Sequence, residues 1–558
     1  KLSFSSTAWP ILATLRRNET NTATSEAFAR NQRHESIEMR PPGCGILTLA
    51  LLAIKCLLGP AYRSTDYHVH RSWMAITHTA PWETWYRDNR TQWTLDYPPF
   101  FAWWERIRAI PAAWIEPNLL KLEGDGMEDV HESRKAIAYQ RGTVMIAETL
   151  VLASGAWYFA KVLPSGGKSS SRTYNRTPSK VRTDWTQVSI AMGLVGNAGL
   201  ILVDHIHFQF NGMLLGVLVW SLAFAQCGKN VLSAICFAVL LQLKHLFAYA
   251  APIYFVFLLR RQCKGKYALQ RFSMLVAAVS SVTLASVGPF LWAGQGKAML
   301  DRLFPFGRGL MHAYWAPNFW ALYASTDKVC TFVVKKLWRS PAMREGHLAR
   351  GLVGVQEFAV LPNITPGTSG SIVLLAMLPC LISLWRFPTR RRFLAAVGYS
   401  YFCGFMFGYH VHEKAVLHFL VVYAMHAATS IWSYGQFLLM SKASYYSLMP
   451  LFFTAAEAPI KVLFVEVLHF LHLWFLQGCH GKTLPFGPWN GIVPTLSVVF
   501  GLLQAYIGML HKLVFGEKMP FVPLMLQSTM SSLVLFVVWL RELAHWMRGM
   551  SASTIQVF

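Results

Sequence analysis

The sequence predicts an all-α protein that crosses a membrane many times, and three observations carry that prediction. Hydrophobic types make up 54% of the 558 residues and charged types only 14%, where an ordinary soluble protein carries about 25% charged residues. The apolar residues come in blocks near the about 20 residues that a helix needs to cross a hydrocarbon core of about 30 Å. The Lys and Arg behind the net charge of +24 gather in short loops between those blocks, at 168–182, 260–271 and 386–392. That distribution marks cytosolic loops of a polytopic membrane protein. It does not form the single basic face or tail of a nucleic-acid binder, so no nucleic-acid partner is expected. Disorder is excluded by the apolar surface. A disulfide scaffold is excluded because the nine Cys are sparse, and Cys56, Cys236, Cys380 and Cys403 lie inside apolar runs.

In chain order, residues 1–41 form a polar tail. Glu19, Glu26, Glu35 and Glu38 argue against a transit peptide there. A cytosolic tail, or translated sequence ahead of a start at Met39, is the expectation. The first span is 43–62, with Lys55 as its one charge. A long non-membrane stretch, 63–141, follows, and its density of Trp, Tyr and His argues that it is ordered. Further apolar blocks lie at 142–163, 188–203, 213–225, 231–243, 246–259, 272–293, 371–385, 393–409, 416–440, 448–464, 467–476, 492–510 and 521–540. They imply about 11 to 14 helices in one membrane domain over 42–558. Counting spans from the basic loops puts 63–141, the turn near Asp204, the loop 295–318 and the turn 410–414 together on the non-cytosolic side. The segment 319–334 looks like a span, yet counting it would turn Arg390–Arg392 outward, so a re-entrant or short extra segment is expected there.

Polar, aromatic-rich segments from distant parts of the chain thus meet at one interface. That favours an enzyme acting on a lipid-borne substrate at the membrane surface. A lipid or solute transporter, the reading in another class, would place ionisable residues and broken helices near the midplane. Lys55 and Glu457 are the obvious mid-span charges here. A membrane scaffold without catalysis is a further alternative.

Four segments hold residues able to do chemistry. Asp66 follows the first span at once, where a lipid headgroup lies, and reads either as a catalytic carboxylate or as a helix cap or ion-pair partner of Arg63 or Arg71. Asp204-His205-Ile206-His207 forms a second cluster, whose plain reading is a hydrogen-bonded turn between spans. Arg302–Tyr323 and Gly408–Lys414 supply the third and fourth. His-x-His occurs at 68/70, 205/207 and 410/412. Zinc would use such pairs with a carboxylate, but no Cys supports a metal centre, so hydrogen-bonding or cationic roles are expected and no metal. Asn89-Arg90-Thr91 and Asn363-Ile364-Thr365 fit glycosylation sequons.

Residues 51–104, 203–212, 243–249, 302–323, 405–414 and 454–461 resemble the dolichyl-phosphate-glucose-dependent glucosyltransferases of the endoplasmic reticulum. The motifs are Ser64-Thr65-Asp66-Tyr67, Trp93-Thr94-Leu95-Asp96-Tyr97-Pro98-Pro99-Phe100-Phe101 and His312-Ala313-Tyr314-Trp315-Ala316-Pro317. They are most similar to members that add the second glucose to the lipid-linked oligosaccharide, with first-glucose members the alternative. His68 stands where the family carries Glu, and the expectation is that His68 takes over a substrate-orienting role. The resemblance implies a GT-C type membrane fold with a long first luminal loop over 63–141. It implies an endoplasmic reticulum membrane location and a luminal site. The substrates would be dolichyl phosphate glucose and a monoglucosylated dolichyl-diphosphate oligosaccharide, and no cofactor is implied. An acceptor hydroxyl needs a base, whereas a departing phosphate is already a stable anion and needs no acid. One carboxylate then suffices, unlike the pair of most glycosidases, and a single displacement inverts a beta-linked donor to an alpha-1,3 product. Asp66 is the expected base. Arg308, His410, His412 and Lys414, with Lys244 and His245 behind them, are expected to bind the donor phosphate. His68, Arg71, Trp93, Asp96, Tyr97, Asp204, His205 and Trp315 are expected to contact substrate.

Overall fold

The structure, a computed structural model, describes residues 40–122, 133–163, 180–312, 315–338, 357–452, 457–480 and 491–550. The tail up to residue 39, part of the basic loop at 168–182, the pair Ala313-Tyr314 and the stretch Thr454-Ala455-Ala456 lie outside the described residues. Pro42–Phe558 forms one unit. Among the described residues the regular structure is helical, apart from one parallel bridge between Met311 and Val411.

The principal helices are α1 (Cys44–Leu57), α2 (Thr65–Thr79), α3 (Pro99–Ile115), α4 (Arg134–Glu148), α5 (Ser154–Val162), α6 (Lys180–Leu194), α7 (Asn211–Cys227), α8 (Asn230–Leu243), α9 (Ala251–Gln262), α10 (Ala268–Trp292), α11 (Gly296–Leu303), α12 (Phe319–Trp338), α13 (Pro366–Arg386), α14 (Arg390–Phe407), α15 (Val416–Ala427), α16 (Ile431–Ser447), α17 (Glu457–His480), α18 (Ile492–Ala505) and α19 (Val522–Gly549). Among the described residues, seven continuous helical stretches are long and apolar enough to cross a membrane, and α1, α7 and α8 are shorter apolar helices. The chain is a multi-pass membrane protein.

Local chemistry sets the boundaries. Ser64, Thr365 and Thr389 cap α2, α13 and α14 by accepting backbone N–H bonds in the first turn, which satisfies donors that the helix cannot. Pro98 and Pro99 open α3. Gly228 ends α7 with φ +80, and a Cβ there would also strike the Arg390 guanidinium. Gly216 lets α7 lie directly on the backbone at Leu152, the close approach that small residues allow between membrane helices.

The helices alternate between two ends. At one end, Arg390 exchanges hydrogen bonds with Gln226, Arg260 donates to the Trp385 carbonyl, and Arg386 donates to Met550. The basic loops 260–271 and 386–392 therefore share that end. At the other end lie the segment 62–66, the turn 207–212, Lys244, the loop 295–312 and the turn 408–414. The four polar segments read from the sequence converge there. The described residues of 63–141 fold as α2, α3, two short 3-10 turns and the start of α4, and α2 packs on α3 around Trp73, Tyr97 and Phe101.

The puzzle at 319–334 resolves without a crossing. Trp320 in the first turn of α12 donates to the Gly408 carbonyl. Ser369 in the first turn of α13 donates to the neighbouring Phe407 carbonyl. Both ends of the excursion thus sit at the polar end. Asp327 of α12 draws the returning chain back by accepting backbone N–H bonds from Ala359, Val360 and Leu361. Arg390–Arg392 stays at the end opposite the polar segments.

Candidate active site

Asp66 occupies the first turn of α2. Three side chains from two distant segments bond its Oδ2. Lys414 Nζ donates at 2.5 Å, Gln209 Nε2 at 2.6 Å and His207 Nε2 at 3.0 Å. The carboxylate keeps 23% of its side-chain surface exposed, and among the described residues these three bonds all go to Oδ2. Burial pushes its pKa up, but Lys414 and His207 outweigh this and hold it well below the usual carboxylate range. Asp66 is therefore ionised at neutral pH, with one oxygen held and the other available to accept a hydroxyl proton.

The chain arranges this with backbone contacts. Ser64 donates both its N–H and its hydroxyl to the His207 carbonyl. Arg141 of α4 donates to the carbonyls of Tyr62, His205 and Ile206. The segment entering α2 is thereby tied to the π-helical turn Ile201–Phe208, a geometry found disproportionately at functional sites. Beneath the turn, His205 pairs with Glu148, which also pairs with Lys55. Among described non-glycine residues with positive φ, Phe208, Trp315 and His410 all belong to the segments that build this end. Strain of this kind persists where surrounding structure holds it and clusters at functional sites.

A second carboxylate, Asp96, sits with Arg308 at 3.7 Å, both partly exposed. Burial, partly offset by Arg308, raises Asp96 to about 6. Lys244 places its ammonium 5.1 Å from the centre of the Tyr97 ring, and burial together with Lys414 lowers it to about 8. Burial acts against the charge on Lys414, yet Asp66 and Glu413 raise its pKa overall. Glu413 accepts from His312 at 3.2 Å. Burial would raise Glu413, but His312 and Lys414 bring it down to about 2.

The structure thus brings together Asp66, Lys414, Asp96, Arg308, Tyr97, Lys244 and the turns carrying His410, His412 and Trp315. Three expectations of charge change. Burial lowers His410 to about 4, and burial with His312 and Lys414 lowers His412 well below the usual value. Both are neutral at physiological pH and are not fixed cations. The His410 ring spends its Nδ1–H on the Gly309 carbonyl at 2.9 Å, so Nε2 is an acceptor. It suits a sugar hydroxyl rather than a phosphate oxygen, and in this structure it is buried without a partner. His412 stacks on His312 with centroids 4.0 Å apart. His245 is also uncharged, lowered to about 4 by burial and Lys244, and its ring lies 5.0 Å from that of Phe304.

Three residues expected at the substrate are enclosed instead. Arg71 is fully buried and donates to the Lys121 carbonyl at 2.6 Å. It follows Asp66 by five positions on α2, which turns it away from the carboxylate's face. Asp204 is buried and accepts from Asn211 and the Gly212 N–H, so it caps α7. His205 is buried on Glu148. Trp93 and His68 are partly exposed. Trp93 donates its backbone N–H to the Thr91 hydroxyl, and His68 lies edge-on to Tyr67. Trp315 is buried as well, in the turn after His312, and its ring is not open to a substrate in this structure.

The His-x-His pairs at 68/70 and 205/207 do not act as pairs, whereas the rings of His410 and His412 meet edge-on at 5.5 Å. His70 turns to Glu105, His205 to Glu148 and His207 to Asp66. His207 and Gln209, both within the stretch 203–212, hold the base although nothing in their spacing placed them there. Their only signal was membership of the same polar turn as Asp204.

Comparison with known proteins gives a consistent picture. The model of the ALG6, ALG8 glycosyltransferase family matches residues 51–542. A protein of Arabidopsis thaliana named dolichyl pyrophosphate Glc1Man9GlcNAc2 alpha-1,3-glucosyltransferase is 38% identical over 517 residues, covering 88% of this chain and 95% of its own. Proteins of the same name from Schizosaccharomyces pombe and Mus musculus are 37% and 34% identical. The alignments cover 88% and 91% of this chain, and 95% and 96% of those proteins.

Proposed function

The chain belongs to the ALG6, ALG8 glycosyltransferase family and is a glycosyltransferase, and from that premise we propose that it adds the second glucose to the lipid-linked oligosaccharide. The donor is dolichyl phosphate glucose and the acceptor is the monoglucosylated dolichyl-diphosphate oligosaccharide. The reaction takes place on the luminal face of the endoplasmic reticulum membrane. The acceptor assignment follows the shared name of the relatives, and the luminal assignment follows the basic loops at the far end of the helices.

The observation that carries the mechanism is the ionised carboxylate of Asp66, held through Oδ2 by Lys414, Gln209 and His207. The acceptor hydroxyl gives its proton to this carboxylate as its oxygen bonds to the glucose anomeric carbon. The bond from that carbon to the donor phosphate breaks in the same step, and dolichyl phosphate leaves with the electron pair. One displacement inverts the centre, from beta to alpha. Arg308, Lys244 and Lys414 supply positive charge to the phosphate, where preorganised cations stabilise developing charge. His412 contributes as a neutral hydrogen-bonding group. Tyr97 and Trp93 offer rings to sugar faces, and Asp96 and His410 Nε2 accept sugar hydroxyls. His68 orients substrate at the mouth.

The charge states predict a pH dependence. Lys244 carries its charge below about 8 and loses it above, so donor KM should rise as pH climbs through that value. Lys244→Met should raise donor KM about tenfold at neutral pH and flatten this rise, since a hydrogen bond to a charged group contributes about 1.5–3 kcal/mol. His412→Ala should raise donor KM more than acceptor KM. An acidic change in sugar binding near 6 belongs to Asp96, and Asp96→Asn should remove it.

The cellular test is the profile of lipid-linked oligosaccharides in cells lacking the protein. The one-glucose species should accumulate. Accumulation of a glucose-free species would assign the chain to the first step instead.

A further inference from the structure

We propose that Lys414 has two stations, capping Asp66 in the empty site and moving to the donor phosphate when donor binds, so that the base is released only with the donor in place. This rests on the functional reading above.

Two roles compete for Lys414. Lys414 stands in the turn expected to bind phosphate, yet its ammonium lies 2.5 Å from Asp66 Oδ2, the shortest of the three contacts to that oxygen. A lysine so placed protects the carboxylate from solvent protons and also weakens it as a base. The carboxylate does not need Lys414 to keep its position, because Gln209 and His207 hold the same oxygen from the π-helical turn. The ammonium is a point charge on a flexible stem with three rotatable donors. It can turn toward a phosphate without movement of the helix that carries Asp66.

Charge around it favours the exchange. Asp66 from α2, Asp204 and His207 from the π-helical turn, Glu413 and His412 from its own turn, and Lys244 all face Lys414. Asp66 in turn faces Lys414 and His207, and also bears on Asp96, Tyr62 and Lys244. A phosphodiester entering between Lys244, Arg308 and Lys414 adds one negative charge to this set. Lys414 can then serve the new anion while Asp66 regains ordinary basicity. The released carboxylate takes the acceptor hydroxyl proton as the glucosyl bond to oxygen forms and the bond to phosphate breaks. The proton passes to solvent or to the departing monoester, and Lys414 returns to Asp66 when dolichyl phosphate leaves.

The test uses the purified full chain with dolichyl phosphate glucose and monoglucosylated acceptor, measured against pH. For the donor, kcat/KM reports groups in the enzyme before donor binds, and kcat reports the complex. Loss of a cation within about 4–6 Å raises a carboxylate pKa by about 1–3 pH units. The acidic limb of kcat should therefore lie about 1–3 pH units above that of kcat/KM in the unaltered protein. In Lys414→Met the two limbs should coincide at the higher position and donor KM should rise. Lys414→Arg, which keeps the charge, should restore the separation in part. Coincident limbs in an active unaltered enzyme would overturn the exchange and leave the functional reading standing. So would a Lys414→Met enzyme whose kcat/KM limb stays in place. Failure to use this donor at any pH would overturn both.

Discussion

Asp66→Asn should lower turnover about 10²- to 10⁴-fold, the range in which a positioned general base contributes, while donor KM changes little. Asn has nearly the size of Asp, and its amide oxygen can still accept from Gln209 and His207. It cannot take a proton from an acceptor hydroxyl. The side chain is an attractive target because it is not a buried structural ion: 23% of its surface is open, and the α2 cap is Ser64 rather than Asp66. Steady-state kinetics on the reconstituted protein check this. Turnover within a few fold of the parent would remove Asp66 from the chemistry and leave it as a partner of Lys414.

The second large effect concerns stability. Glu148 is buried between Lys55 and His205. Removing it in Glu148→Leu leaves the Lys55 ammonium enclosed without its partner. Breaking a buried pair from one side costs about 3–5 kcal/mol. Most of that cost comes from the stranded charge, so the double change Lys55→Met with Glu148→Leu should recover much of it. Unfolding in detergent, followed for the single and double variants, separates the two contributions. A single variant as stable as the parent would show that the pair holds nothing. The same loss should loosen His205, and with it the turn that presents His207 to Asp66, so turnover should fall in the single variant before global unfolding.

Much of the site was legible because polar residues in so apolar a chain have few places to go. Asp66, Asp96, Arg308 and Lys414 had to lie at an interface, and the basic loops named the opposite one. The aromatic density of 63–141 likewise announced a folded region, and among its described residues Trp73, Tyr97 and Phe101 form a packed cluster. What remained hidden depended on geometry without sequence periodicity. The pairing of His207 and Gln209 with Asp66 needs the π-helical turn and a Phe208 with φ 90, and no spacing rule predicts either. The neutrality of His410 and His412 comes from burial by segments far along the chain. The α12 stretch carries enough apolar residues to look like a span, and the contacts of Asp327 and Trp320 with distant backbone turn it aside.

The stereochemistry of transfer by the purified protein tests the single displacement at Asp66. The protein is given beta-linked dolichyl phosphate glucose and a monoglucosylated lipid-linked acceptor, and the new linkage is read by NMR. A single displacement assisted by one carboxylate predicts one added glucose in alpha-1,3 linkage. A beta-linked product, or no transfer from this donor under conditions where the protein is folded, would contradict it.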